Sequence, residues 1–138
     1  MAYPYKKMQE EDFDYIRSVT AEDRVWTGDE IAREYYHDEM PEYGEYPPEL
    51  YVEVENTEEI SKIMAYAYQE NIPVVCRGAG TGLAGGATCK YGGIMLSIMR
   101  MNRIFPVDHK NQTITAEPGA LLIAVSYTHL TLPTKLEV

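Results

Sequence analysis

Basic residues, cysteines and long apolar runs are all scarce in this sequence. Only 12 of the 138 residues are Lys or Arg, against 22 Asp or Glu, and residues 1–60 hold 18 of those acids with five bases. Such an acidic half argues against a nucleic acid or an anionic membrane as the partner, because contacts to phosphate need clustered Lys and Arg. The other half of the chain is mildly basic, with seven bases and four acids.

Cysteine and histidine are too few and too unfavourably spaced to predict a metal or redox centre. Cys76 and Cys89 form neither a CxxC pair nor a disulfide framework, and we expect both to be small thiols that are buried or half-buried. His37, His109 and His129 share no HxxxH or HExxH spacing. We therefore assign no metal to the chain.

No apolar run approaches the ~18 residues that a membrane-spanning helix needs. The first eleven residues are polar and lack the apolar core of a signal peptide. These two absences predict a cytoplasmic location.

Tyrosine and apolar residues, by contrast, are plentiful. The chain has 12 tyrosines and is 45% hydrophobic, which is typical of a folded domain. Residues 1–49 are predicted to form an acidic, tyrosine-rich, helical arm, with an amphipathic helix over residues 10–19 and a second short helix that begins at Thr27 or Gly28. The run of residues 35–39 is polar enough for a catalytic cluster, but we interpret it as a part of the arm that packs on the surface of the domain.

A β-α-β unit is predicted next. Residues 50–54 and 74–76 have the alternating and β-branched patterns of strands, and Asn56 is expected to cap the helix between them. The apolar face of this helix comprises Ile60, Ile63, Met64, Ala67 and Ile72. Further short strands are predicted over residues 94–98, 104–107 and 113–116, and a helix is expected to open at residues 120–123.

The stretch on which the functional interpretation depends follows the second strand. Five glycines occupy nine positions, namely Gly78, Gly80, Gly82, Gly85 and Gly86. Glycine is costly to order and is favoured where the backbone must approach a ligand closely, and successive exposed N–H groups in such turns bind phosphate oxygens. Arg77 adds a positive charge and Thr81 a hydroxyl donor. The loop is therefore predicted to hold the pyrophosphate of a nucleotide cofactor.

The glycines also fit other interpretations to different degrees. Residues 80–85 satisfy the GxGxxG pattern of a NAD-binding Rossmann domain. Asp108 follows this pattern at about the sequence separation at which such a domain places the acid that binds the ribose. That pattern must open a helix, whereas turn residues and a strand follow here, so the context argues against a NAD site. A Walker P-loop is excluded because no Gly-Lys-Ser/Thr occurs. A non-enzymatic interaction module, carried by the acidic arm, stays open and predicts no nucleotide binding.

Three motifs in one order point to a family. Residues 73–86, 92–104 and 115–120 together resemble the FAD-binding region of FAD-linked oxidases. They are similar in particular to the branch of the vanillyl-alcohol oxidase superfamily that contains the glycolate oxidase subunit and D-lactate dehydrogenase. The resemblance covers residues 35–123 and departs from the branch at Cys76, where proline is more usual.

The resemblance implies an α+β fold, the N-terminal part of a PCMH-type FAD-binding domain, over residues 50–124. It also suggests non-covalent FAD, since relatives with covalently bound flavin carry a histidine at about the position of Thr81. The cofactor-binding residues that it implies lie in the glycine loop and in two later motifs: Arg77, Gly78, Ala79, Gly80, Thr81, Gly82, Gly85, Gly86, Met101, Asn102, Pro118 and Gly119.

The same resemblance implies oxidation of a 2-hydroxy acid to a 2-oxo acid, with hydride passing from the α-carbon to the flavin N5. Oxygen, a quinone and an electron-transfer protein are the candidate electron acceptors. In the family, the base and the substrate-binding residues follow this region, so no catalytic residue is assigned within the chain and no turnover is expected of it alone. Another enzyme on the same flavin fold, of the enolpyruvyl reductase type, is an alternative that would lack the run of residues 100–104.

Residues 125–134 depart from the family, which usually continues a helix at this point. The codons GTC TCT TAT ACA CAT CTG ACG CTG CCG ACG would encode them, and these codons resemble a transposase sequencing adapter. We therefore interpret residues 125–138 as a non-native tail and exclude them from the fold prediction.

Overall fold

A computed structural model describes residues 4–127. Its longer helices and its strands are α1 (Glu10–Val19), β1 (Val25–Thr27), β2 (Leu50–Glu53), α2 (Thr57–Glu70), β3 (Val74–Arg77) and β4 (Ile94–Ser97), and four short 3-10 helices lie between Glu22 and Tyr43. Within the described range, residues 122–127 are also helical. Most of the segment interpreted as a non-native tail, and His129 within it, lies outside the described residues, so that interpretation stays a prediction.

The strands form one mixed sheet in the order β1-β2-β4-β3. β2, β4 and β3 are parallel, and β1 pairs antiparallel with β2. The predicted β-α-β unit is thus confirmed, with β4 inserted between its two strands. In register, Ser97 lies between Glu53 and Arg77, so the three parallel strands end at one edge of the sheet.

The crossover helix α2 begins and ends as its sequence predicts. The Asn56 side chain accepts a hydrogen bond from the Glu59 amide at 2.9 Å, and Asn71 ends the helix in the left-handed conformation, with φ 58°. Ile63 and Ala67 are buried against the sheet. The prediction was wrong for Met64, which lies at the margin of the apolar stripe and stays 46% exposed.

Two cores lie on opposite faces of the sheet, because successive side chains of a strand point to opposite sides. The core under α1 and α2, called here the helix-side core, includes Ile16, Val25, Leu50, Val52, Ile63, Ala67, Ile94 and Leu96. The core on the other face, called here the loop-side core, comprises Ile31, Tyr51, Cys89 and Met95, flanked by Trp26, Tyr35, Tyr36 and Val75. Residues 1–49 therefore contribute to both cores, and the predicted domain boundary after residue 49 stays a prediction.

Two strand predictions and one cysteine prediction were wrong. Residues 104–107 and 113–116 form only isolated bridges, between Ile104 and Ala116 and between Asp108 and Thr113. Most of this hairpin is exposed, so little burial stabilises a longer ladder. Cys76 is exposed because it lies on the edge strand β3, whereas burial of Cys89 raises the pKa of its thiol to about 12.

Candidate functional site

Three sequence motifs meet at the edge where the parallel strands end. The glycine loop, defined here as residues 78–86, leaves β3 at this edge, and β4 ends beside it, where the Ile98 amide donates to the Arg77 carbonyl at 3.2 Å. The Met101 amide then donates to Ile98, and the Gly119 amide donates to Met101 at 2.7 Å. In open α/β sheets this edge is where ligands bind.

The first part of the glycine loop presents main-chain donors that have no partner. Within the part of the chain that the structure describes, none of the amides of residues 78–84 donates a hydrogen bond. Gly78, Ala79, Thr81 and Gly82 are exposed, and a Cβ built on Gly78 would meet no atom within 4 Å. Six of these seven residues are exposed, and successive N–H groups without a partner are the kind of donor set that binds an anionic pyrophosphate.

Arg77 lies beside this loop but does not point its charge into solvent. Its side chain is buried, and the guanidinium donates to the carbonyls of His37 at 2.9 Å, Ala87 at 3.2 Å and Glu34 at 3.2 Å. It also lies 5.4 Å from the centre of the Tyr35 ring. The guanidinium thus ties the arm to the chain just after the glycine loop, and its predicted contact with phosphate stays a prediction.

Gly80 depends on this placement of Arg77. A Cβ at position 80 would lie 2.1 Å from Nη2 of Arg77, and Gly80 itself is buried. Since three hydrogen bonds hold the guanidinium, it has little freedom to move aside. A side chain at position 80 would therefore displace the arginine or the loop.

Asp38 is a site residue that the sequence did not reveal. Its buried carboxylate accepts from the Gly85 amide at 2.8 Å and from the Met40 amide at 2.9 Å, and the Glu39 amide donates to the Gly82 carbonyl at 3.0 Å. The arm does pack on the domain, as interpreted, but it packs on the glycine loop. Asp38 and Gly85 lie 47 positions apart, so no local pattern connects them.

The remaining predicted residues form a second group beneath the end of β4. Met101 is buried in the helix-side core, and a Cβ on Gly119 would lie 2.0 Å from the Ile98 carbonyl oxygen. Asn102 and Pro118 are exposed. Of this group, only these last two present accessible side chains, so the buried pair shapes the backbone under the site.

One ion pair borders this second group. Arg103 donates to Glu117 through Nε at 3.0 Å and Nη2 at 3.3 Å, and through its own amide at 2.9 Å. These hydrogen bonds from Arg103 hold the pKa of the Glu117 carboxyl below its usual range. They join the segment that follows β4, at Arg103, to Glu117, the residue directly before Pro118.

Residues 4–127 contain neither a metal-binding cluster nor a membrane-spanning helix. No group of three His, Cys, Asp or Glu side chains there is placed to hold a metal ion. In the same range, no helix has the length and apolarity needed to cross a bilayer.

The turn geometry separates the remaining interpretations of the glycines. A Rossmann domain requires a helix directly after Gly86, but the following residues form turns and β4 begins at Ile94. The NAD interpretation is therefore not favoured.

Comparisons with known proteins agree with this geometry. The profile of a family described as an FAD binding domain matches residues 48–129. D-lactate dehydrogenase from Anaerostipes hadrus is 39% identical over 120 residues, which are 87% of this chain and 25% of that protein. Glycolate oxidase subunit GlcD from Bacillus subtilis (strain 168) is 36% identical over 89 residues, which are 64% of this chain and 19% of that protein. The chain spans a quarter or less of the length of these relatives.

Solved structures share the fold at low sequence identity. An alkyldihydroxyacetonephosphate synthase matches with a TM-score of 0.77 at 15% identity, over 95% of this chain and 26% of that one. A p-cresol methylhydroxylase matches with a TM-score of 0.73 at 20% identity, over 94% of this chain and 26% of that one. These matches show a shared fold, and together with the family profile they confirm the expected α+β fold of a PCMH-type FAD-binding domain.

Proposed function

Because the chain belongs to the FAD-binding domain family, we propose that it is the part of a flavin-dependent 2-hydroxy-acid oxidoreductase that binds the FAD pyrophosphate. The run of open amides at residues 78–84 carries this proposal, since its donors suit an anionic group and lie at the ligand-binding edge of the sheet. The names of the similar proteins, a D-lactate dehydrogenase and a glycolate oxidase subunit, support the substrate class.

Bound FAD would supply the redox chemistry, by accepting at N5 the hydride from the α-carbon of the hydroxy acid. The residues of this chain would bind and orient it. The loop amides would hold the pyrophosphate, Asp38 fixes the loop against the arm, and Arg77 ties the arm to Ala87 just after the loop. Gly119 allows the close backbone packing beneath the loop. The residues that bind the substrate and move its proton are proposed to lie in other parts of the full-length protein.

The FAD is proposed to be non-covalent. At Thr81, where relatives with covalent flavin carry a histidine, the side chain is an exposed hydroxyl, and the glycine loop contains no histidine. Acid precipitation of the flavoprotein checks this directly. We expect the flavin in the supernatant, and flavin that stays with the protein pellet would contradict the proposal.

Expression of the full-length gene tests the function itself. We expect a yellow protein whose flavin absorbance is bleached anaerobically by a 2-hydroxy acid such as D-lactate or glycolate. A colourless protein that binds no added FAD would refute the proposal. Bleaching by NADPH alone would instead favour an enolpyruvyl reductase, although that alternative would lack the Arg100–Ile104 run that is present here.

A matched pair of variants at Gly78 tests the loop. Both side chains would enter open space, since a Cβ there meets nothing within 4 Å, so both variants are expected to fold. Gly78→Asp places a negative charge among the open amides and should weaken FAD binding by roughly tenfold or more. Gly78→Ala should bind FAD much more tightly than Gly78→Asp. FAD affinity is measured by fluorescence titration. Equal affinities for the two variants would show that the loop does not bind the pyrophosphate.

Three other expectations from the sequence remain predictions: the electron-transfer partner, the cytoplasmic location and the non-native tail. The tail can be checked most simply, by sequencing the locus from source DNA. An uninterrupted coding frame through residues 125–138 in independent clones would show that the segment is natural.

A further inference from the structure

The acidic arm contacts the glycine loop at two successive turns. Asp38 binds the amide of Gly85, and the backbone of Glu39 binds the carbonyl of Gly82. The ring of Tyr43 lies against Gly85 so closely that a Cβ there would be 2.8 Å from Cδ2, at a φ of +76° that already disfavours any other residue. The second half of the loop is therefore held by the arm.

Asp38 is an unusual group for such a contact, because a buried carboxylate is costly unless it is well hydrogen-bonded. Only 4% of the residue is exposed, and its two oxygens each accept from a main-chain amide, of Met40 and of Gly85. No basic side chain of residues 4–127 forms an ion pair with it. Its charge is thus satisfied by backbone donors, one on each of the two segments that it joins.

This arrangement divides the donors of the loop into two sets. The Gly85 amide binds Asp38, whereas the amides of residues 78–84 bind nothing in the described part of the chain. The loop is anchored at its start by β3 and at its end by Asp38, and the open amides lie between the two anchors. Anchoring both ends reduces the conformational entropy that the loop would lose when it closes on an anion.

We propose that Asp38 is a positioning residue for FAD: its carboxylate holds the turn at residues 82–85, so that the preceding amides are preorganised for the pyrophosphate. The proposal rests on the proposed function, and it assigns Asp38 no contact with the cofactor. It deepens that function by giving the acidic arm a direct part in cofactor affinity.

Three variants of the full-length flavoprotein test it. Asp38→Ala removes both acceptors, and Asp38→Asn keeps one acceptor oxygen of nearly the same shape. Glu39→Ala is the matched control, because it removes an exposed acid from the next position while the backbone bond from residue 39 to Gly82 remains. After removal of FAD, the dissociation constant is measured by flavin fluorescence, the melting temperature is measured without FAD, and amide exchange is followed at Gly85.

We expect Asp38→Ala to raise the FAD dissociation constant roughly tenfold or more, since hydrogen bonds to a charged group are among the stronger ones. Asp38→Asn should weaken binding less, and Glu39→Ala should stay within about twofold of the unmodified protein. The Gly85 amide should exchange faster in Asp38→Ala than in the control, with no FAD present.

Several results would overturn the proposal. A lower melting temperature with an unchanged FAD dissociation constant would show that Asp38 only stabilises the fold. Tighter FAD binding in Asp38→Asn would show that the carboxylate opposes the pyrophosphate. If Asp38→Ala does not fold, Asp38→Asn decides, since faster exchange of the Gly85 amide together with an affinity equal to that of Glu39→Ala contradicts the proposal. Unmodified protein that binds no FAD would instead refute the proposed function, and Gly85 exchange would still report whether Asp38 holds the loop.

Discussion

Two buried arginines, one on each side of the sheet, satisfy their charges in different ways. Arg24 on the helix side donates to both oxygens of Glu59, at 3.0 and 2.8 Å, and to the Glu53 carbonyl. Arg77 on the loop side donates only to carbonyls, those of Glu34, His37 and Ala87. The exposed fractions of the two residues are nearly equal, at 8% and 6%.

We infer from this difference that the helix side is structural and that the loop side is arranged for the proposed cofactor. Arg24 is paired with carboxylates, those of Glu59 and, at 3.4 Å from its Nε, Glu55, and it joins the segment before β1 to the start of α2. Arg77 instead joins two backbone segments and uses no carboxylate, so it fixes the arm beside the glycine loop while the loop's amides stay open. Asp38 does the same with the opposite charge.

The largest effect on stability is expected from breaking the helix-side pair. Arg24→Met leaves the buried Glu59 carboxylate without its partner, which typically costs about 3–5 kcal/mol of unfolding free energy. The double variant Arg24→Met/Glu59→Leu should recover most of this loss, because no unpaired charge remains. Urea unfolding measures both. Arg33→Met is the control, since its bidentate pair with Glu45 is exposed; an equally large loss there would contradict the assignment.

A smaller loss of stability, but a larger loss of FAD affinity, is expected from Arg77→Met. Three carbonyls lose their donor, yet the arm can move away and expose them to water, so we expect a loss of about 1–3 kcal/mol. The released arm should weaken FAD binding, whereas Arg24→Met should leave the affinity of the folded protein unchanged. Parallel urea unfolding and FAD titrations of the two variants test this contrast. A loss of FAD affinity in Arg24→Met but not in Arg77→Met would contradict the assignment of the loop side to cofactor binding.

The smallest effect is expected from acid, and it should arise on the helix side. The hydrogen bonds from Arg24 lower the pKa of the Glu59 carboxyl below its ordinary value of 4.5. A carboxyl with a lowered folded-state pKa stabilises the fold fully above that ordinary value, and this contribution is lost as the pH falls through the folded-state pKa. Arg24→Met/Glu59→Leu should therefore lose less stability than the unmodified protein on acidification. The urea midpoints of both proteins are measured over a pH series. An equal decrease of the two midpoints with falling pH would contradict the prediction.

Elements with a strong local pattern were predicted from the sequence. The bounds of α1 agree with the amphipathic run of residues 10–19, and α2 follows the cap at Asn56. The order of the three motifs predicted the family that the profile match then showed. The exposed hairpin of residues 104–116 was predicted poorly, because its strand-like composition is not matched by a surface that would bury it.

The sequence by itself determined the glycine loop, the strand before it and the class of ligand that such a backbone suits, because these depend on residues that are neighbours in the chain. Only the tertiary structure decided what holds the loop. It turned Arg77 towards carbonyls and placed Asp38 against Gly85. Such contacts join segments about 40 positions apart, so they form only when folding brings those segments together. Because a buried charge must be hydrogen-bonded, each of these two side chains then bonds to the backbone groups that lie beside it.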